Sequence, residues 1–469
     1  MKTAAELRDW GTQDLEGLVV YCLSLQERLA LTSRNSSKPP SQDGYAKPKP
    51  KSLRGTTGKK SGGQPGHLGA TLNPVENPDR IEVHPLLACP CGCGSDLSHL
   101  PALDYECRQI FDLPPQQLMV TEHRVEVKRC PLSGRLVHTP WPVGITAPAQ
   151  YGPGFLAWLA YLNTQQFIPL ARIGQMSDDL FGHQVSDNTI QNALKTIGQQ
   201  LAPFSLAVKE QLAQKPVVHA DESGLRVAAV LNWLHVFSTA TLTWYGVHRK
   251  RGREALESLA IMPEFQGRLV HDCWQTYFDL FCRHALCLAH ILRELIFIHE
   301  ECDQTWAKTL VDLLREMNRK REEQKLVAAA FPAQQLREWQ QQYQRILLEG
   351  RAVNPPSAPI RDAPKKRGRK KQTKAQNLLD RLEKHEESVL AFLHDFQIPF
   401  TNNQAEQDIR MIKVKQKVSG AFRTVEGAEL FATIRSYIST VRKQGRSVFT
   451  DLKAAIVGNP FIPIASEAD

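Results

Sequence analysis

Between Val217 and Asp272 the sequence sets out an order of elements that restricts the chain to a small set of sheet topologies. Val217–Asp221, Asn232–Ser238 and Thr241–Val247 read as strands, Arg253–Met262 as a helix, and Arg268–Asp272 as a strand again. The first three runs predict antiparallel strands, and the helical crossover predicts a fourth lying parallel to its neighbour. In one such arrangement the first strand and the fourth are adjacent. Asp221 ends the apolar run Pro216–Ala220 and Asp272 ends the run Gly267–His271, so adjacency brings the two carboxylates together. Paired carboxylates repel unless a cation lies between them.

A third acid fits the same point. Glu406 lies in Thr401–Glu406, at the head of a basic helical stretch. Arg410, Lys413 and Lys417 follow it by steps of four, three and four, on one helical face. Two carboxylates at strand ends and one on a later helix suit a pair of divalent ions, and the cationic stripe suits the phosphates of a nucleic-acid backbone. The order strand, strand, strand, helix, strand is also the opening of a ribonuclease H-like fold. Each acid has an ordinary reading beside this one. Asp221 and Asp272 could merely end strands; Glu406 fits N3 of a capping box headed by Asn403, or an ion pair with Arg410 one turn on.

Charge supports a polyanionic partner: 58 Lys and Arg against 49 Asp and Glu leave a formal charge of +9 over 469 residues. A hydrophobic content of 42% is enough for packed cores in roughly three or four domains. No apolar run approaches the ~18 residues that span a bilayer, and the first residues lack the apolar core of a signal peptide. A cytoplasmic protein with its ten cysteines reduced is therefore expected.

Residues 1–34 read as a helix in which Leu15, Leu18, Cys22, Leu25 and Leu29 are spaced by threes and fours. That seam suits either a short coiled coil joining two copies or an amphipathic helix packing on its own protein. Residues 35–77 are a basic linker rich in Pro, Gly, Ser and Lys. Residues 78–145 read as a small β-rich module, with strands expected at Ile81–His84 and Val120–Val127. Residues 150–213 read as all-helical. Within them Ala171–Met176, a turn at Gly182 and a helix capped by Ser186 resemble a helix-turn-helix presenting Asp187, Asn188 and Gln191, or else an ordinary helical hairpin. The α/β region covers 214–425, with a helical insertion and a basic linker at 352–376 whose Lys365, Lys366, Arg367 and Arg369 suit phosphate contacts. Residues 426–469 read as a C-terminal helical tail.

Longer blocks resemble transposases of the insertion sequence 66 family across nearly the whole chain: Asn35–Ser41, Gly62–His67, His219–Val227, Leu269–Asp272, Cys287–His290, Asn402–Glu406 and Lys413–Lys417. The resemblance implies a multidomain α/β protein with a leucine-zipper-like N-terminal helix, a zinc-binding module, an all-helical domain and a ribonuclease H-like catalytic core. The implied activity is that of a DDE transposase, which cleaves DNA at element ends and joins the 3′-hydroxyl to target DNA. Carried over by motif, Asp221, Asp272 and Glu406 are the catalytic residues and hold two magnesium or manganese ions. An implied zinc site would draw on Cys89, Cys91, Cys93 and Cys130, or on Cys107, with Ser133 where the pattern has a fourth cysteine. Cys287 and His290 match a Cys-x-x-His pair that recurs after the second acid of such enzymes, read here as a buried structural pair. Thr401 and Gln407 stand where the family usually has Asp and Arg. Together with Ser133 they motivate a second reading, a catalytically decayed transposase acting as a DNA-binding protein or repressor. The expected partners are DNA, further copies of the chain through the N-terminal helix, and small accessory proteins of the element. The expected location is the bacterial cytoplasm, at the nucleoid.

Overall fold

A computed structural model describes residues 15–29, 31, 72–114, 116–259, 265–328, 330–355 and 372–464. The basic run holding Lys365, Lys366, Arg367 and Arg369, and most of the 35–77 linker, lie outside the described residues. The chain divides into two compact units, one made of residues 51–122 with 180–182 and the other of the remainder.

In the smaller unit the expected strand at Ile81–His84 does not form. Ile81 and Val83 are both exposed, and among the described residues no strand pairs with them. Alternating sequence makes a strand only where a neighbour takes up the backbone hydrogen bonds. The described residues form a tight loop around the cysteines, and Gln109 is tied by its side-chain amide to the backbone of Val75. A bridge joins Ala88 to Asp96, Cys89 N–H donates to Ser95 O at 3.0 Å, and Gly92 and Gly94 turn the chain at positive φ.

The larger unit opens with helix α1 (Leu15–Leu29), whose seam residues Leu15, Cys22 and Leu29 are exposed. The strand expected at Val120–Val127 does not form over residues 120–126; only Val127 is in strand, at the start of β1 (Val127–Arg129), which pairs antiparallel with β2 (Leu136–His138). Four helices follow: α2 (Pro153–Ala160), continued by a π-helical turn at Tyr161–Gln165, then α3 (Leu170–Phe181), α4 (Asp187–Gln200) and α5 (Ala202–Gln214). Ser186 caps α4, accepting Thr189 N–H at 3.2 Å. Gly174 allows α3 to approach the segment before α4, since a Cβ there would lie 2.8 Å from Val185 O.

Next comes a five-stranded sheet of β3 (Val217–Val227), β4 (Val230–Ser238), β5 (Thr243–His248), β6 (Arg268–His271) and β7 (Arg283–Leu286), with α6 (Arg253–Leu259) between β5 and β6. Its order is β5-β4-β3-β6-β7; the β3–β4 and β4–β5 pairs are antiparallel, and the β3–β6 and β6–β7 pairs parallel. Val218 and Ala220 of β3 pack in a core with Phe204, Val208 and Leu212 of α5, whereas Leu225 and Val227 face the opposite side of the sheet.

A helical insertion follows β7: α7 (Leu288–Cys302), α8 (Thr305–Gln324), α9 (Ala333–Val353), α10 (Lys374–Lys384) and α11 (Glu386–His394), which share one core with Val270 of β6 and Leu286 of β7. The two ends of this insertion meet, because Leu288 N–H donates to Phe400 O at 3.1 Å and Asn402 N–H to Cys287 Sγ at 3.1 Å. The chain then forms α12 (Asn403–Ser419), α13 (Val425–Lys443) and α14 (Val448–Ile456). Helix α13, expected within a tail, instead closes the sheet. Thr243 N–H of the edge strand β5 donates to Thr440 Oγ1 at 3.0 Å, and Tyr245 N–H to Ser436 Oγ at 2.9 Å. Two hydroxyls one turn apart thus satisfy backbone donors that an open edge would leave to solvent or to another chain. Among the described residues no helix is long and apolar enough to cross a membrane.

Candidate active site

The candidate site lies where β3 and β6 part. Their parallel register runs Val217↔Arg268, Val218↔Leu269, His219↔Val270, and continuing it sets Asp221 level with Asp272. Strand alternation puts His219 and Asp221 on one face of β3 and Ala220 and Glu222 on the other. After Asp272 the chain turns through Cys273 at φ +69°, and Trp274 N–H donates to Asp272 Oδ1 at 3.1 Å.

Glu406 reaches this point through one buried asparagine. Asn402 precedes α12 and is 1% exposed. Its Nδ2 donates to Ala220 O at 2.8 Å, and its Oδ1 lies 2.8 Å from His219 Nδ1. Burial depresses the pKa of His219, so its ring is neutral and Nδ1–H is the donor. The capping box read from the sequence is absent: the N-cap is Asn402 rather than Asn403, and its side chain fastens the helix to β3 instead of capping it. Nor does Glu406 pair with Arg410 among the described residues. Glu406 Oε1 lies 3.6 Å from Cys287 Sγ and 3.8 Å from His290 Nδ1.

The electrostatics register the crowding. The Asp221 carboxyl is pushed well above the usual carboxylate range, by burial first and then by the negative charges of Glu222, Asp272 and Glu406.

Glu222 is a residue that sequence reasoning missed. Its side chain is 2% exposed and accepts Tyr277 Oη–H at 2.6 Å and Arg251 Nε–H at 2.9 Å. The Arg251 guanidinium lies 4.9 Å from the centre of the Trp233 ring and 4.4 Å from that of Trp274. Only its place directly after Asp221 hinted at this, since its partners come from the segment after β5 and the segment after β6.

Along α12, Arg410, Lys413 and Lys417 are exposed, and Lys413 Nζ donates to Gly224 O at 2.9 Å. Lys415 sits on the buried face, donating to Gly420 O at 3.0 Å with its Nζ 3.7 Å from the centre of the Phe422 ring. In the smaller unit the Sγ atoms of Cys89, Cys91 and Cys93 lie within 4.8 Å of one another. The Cys93 thiol is pulled down to about 6, first by its hydrogen bond with Ser95, which favours the thiolate a metal binds. Cys107, in the same unit, is not part of that cluster, and Cys130 belongs to the larger unit.

Comparison with protein families bears on this arrangement. A model described as a zinc-finger binding domain of transposase IS66 matches residues 87–131, which hold the three-cysteine cluster. A family of unknown function (DUF6444) matches residues 6–73. No curated protein matches the chain. The model of the Transposase IS66 family matches residues 148–430, a span that takes in the whole sheet, Asp221, Asp272 and Glu406. With more than half of its length matched by that model, the chain belongs to the IS66 family of transposases.

Proposed function

We propose that the protein is a DDE transposase that cleaves DNA at insertion-sequence ends and transfers the strand to target DNA, with Asp221, Asp272 and Glu406 as its metal-holding residues. The observation that carries this reading is the convergence of elements: register places Asp221 level with Asp272, and Asn402 ties the helix of Glu406 to the same strand. The sheet order, three antiparallel strands followed by two parallel ones beyond the first, supports a ribonuclease H-like core. Three carboxylates are hard oxygen donors, so the donor set fits magnesium or manganese; burial first and then the neighbouring negative charges raise the Asp221 carboxyl, and a divalent cation would offset both. Bound there, two such ions would supply Lewis acidity for in-line displacement at a DNA phosphate.

The chain's own residues do the positioning. Asn402 orients Glu406, and Arg251 and Tyr277 hold Glu222 beside the site. Arg410, Lys413 and Lys417 offer phosphate contacts that set the DNA without reading its sequence. The exposed seam of α1 supports self-association, and the three-thiol cluster supports zinc in the smaller unit. The test is Asp272→Asn in a strand-cleavage and strand-transfer assay on labelled terminal-repeat DNA. Activity should fall about a hundredfold or more with DNA binding intact. Full activity would remove Asp272 from the site, and wild-type protein that binds the ends without nicking them would favour the decayed repressor.

A further inference from the structure

We infer that Cys287, His290 and Glu406 form a binding site for a thiophilic divalent ion of the zinc class, which shares Glu406 with the carboxylate centre and holds that centre inactive. The sequence alone pairs Cys287 with His290; the fold adds Glu406, and one donor atom from each of the three lies within 4.8 Å of the others. The spacing fits ligands of one ion: the Cys287 thiol reaches Glu406 only as a long hydrogen bond, and His290 Nδ1 does not reach it as one. Zinc–ligand bonds of about 2.3 Å to sulfur and about 2.0–2.1 Å to nitrogen and oxygen imply tetrahedral edges of about 3.5 Å from S to O and about 3.4 Å from N to O. The observed separations are 3.6 Å from Cys287 Sγ to Glu406 Oε1 and 3.8 Å from His290 Nδ1 to the same oxygen. The second is far beyond the roughly 2.9 Å of an N–H···O hydrogen bond. Among the described residues His290 Nδ1 is buried with no hydrogen-bond partner, a polar atom that calls for one.

The donor chemistry selects the ion. Sulfur, imidazole nitrogen and one carboxylate oxygen favour zinc, cadmium or cobalt over magnesium. The three groups come from fixed places: Cys287 directly before α7, His290 in its first turn, and Glu406 in the first turn of α12. Asn402 N–H on Cys287 Sγ steadies the sulfur as it gives up its proton to solvent on binding. A three-residue set leaves a fourth position for water. An ion held there engages the carboxylate that the magnesium centre needs, so zinc competes with magnesium activation. The inhibition rests on the role proposed above for Glu406; the binding does not.

Cobalt(II) titration of the full-length protein, compared with Cys287→Ser and His290→Gln, tests the site. The wild type should take up one more equivalent than Cys287→Ser, with a sulfur-to-cobalt charge-transfer band absent from the Cys287→Ser difference spectrum, and affinity at this site should weaken about tenfold or more in His290→Gln. Cobalt bound by the smaller unit's cysteines is common to all three proteins and cancels. His290→Gln keeps the thiol, so the comparison holds even where Cys287→Ser fails to fold. Equal affinity and equal spectra in wild type and His290→Gln would overturn the site. In the cleavage assay, zinc should inhibit magnesium-supported nicking by wild type at about tenfold lower concentration than it inhibits His290→Gln. Cobalt binding without that shift would overturn the shared use of Glu406. If no nicking occurs at all, the proposed activity fails and the cobalt result alone decides the site.

Discussion

Asn402 offers a substitution in which two physical readings predict opposite signs. As an ordinary N-cap, Asn402→Asp should be neutral or stabilising, because Asp caps as well as Asn and a negative charge at a helix N-terminus adds about 0.3–1 kcal/mol. As the fastener between α12 and β3, the residue needs its amide: Nδ2–H donates to Ala220 O at 2.8 Å in a position 1% exposed. The Asn402→Asp variant would keep an acceptor for His219 but set a carboxylate against the Ala220 carbonyl, at a cost of about 1–3 kcal/mol. Asn402→Ala removes both side-chain bonds and strands a buried donor and a buried acceptor, about 2–4 kcal/mol in all, against about 1 kcal/mol for a lost cap. Urea denaturation followed by the fluorescence of Trp233 and Trp274 measures these differences. Asn402→Asp as stable as wild type would refute the fastening role.

Two further predictions concern buried polar groups. The Lys415 ammonium is pulled down to about 8 by burial, below its free value of 10.5, so the unfolded chain binds more protons between those values. The cost of burying the charge is therefore fully present at neutral pH and fades as pH rises from about 8 to about 10.5. Wild type should gain about 2–3 kcal/mol relative to Lys415→Met across that window, and parallel stability curves for the two proteins would contradict it. Tyr277→Phe removes the 2.6 Å bond to Glu222, a charge-assisted contact in a fully buried place, and should cost about 1.5–3 kcal/mol by denaturation. Unchanged stability would mean that Arg251 alone suffices for Glu222.

What the sequence disclosed depended on whether the governing interactions were local or patterned. The β3–β6 adjacency was legible because the element order matches the opening of a ribonuclease H-like fold, in which the first strand and the fourth are neighbours, and with it the nearness of Asp221 and Asp272. The cationic face of α12 followed from helical period, and Arg410, Lys413 and Lys417 are exposed as that period requires. Glu222 was not legible, since a buried acid announces itself only through Tyr277 and Arg251, which lie far along the chain. The role of Asn402 was missed, with the cap read at Asn403, for a related reason. Local rules favour a capping asparagine, but a tertiary contact to Ala220 and His219 outcompetes the cap. At Ile81–His84 the alternating pattern was present without a partner strand, and alternation by itself carries no backbone hydrogen bonds.

The meeting of the insertion's two ends has a consequence for how such chains diversify. Residues 288–400 leave the sheet at Cys287 and return beside it, pinned by Leu288 N–H on Phe400 O and by Asn402 N–H on Cys287 Sγ. A segment clasped at its neck can lengthen between its helices without moving its ends. Closure entropy rises by only about 0.6 kcal/mol for each doubling of a flexible segment's length. Chain can therefore be added at the insertion's connections at little closure cost, while the helices sharing the core of Val270 and Leu286 stay in place and Glu406 stays indexed to Asp221 by the clasp. The insertion is a place where relatives can acquire new surfaces without rebuilding the sheet end.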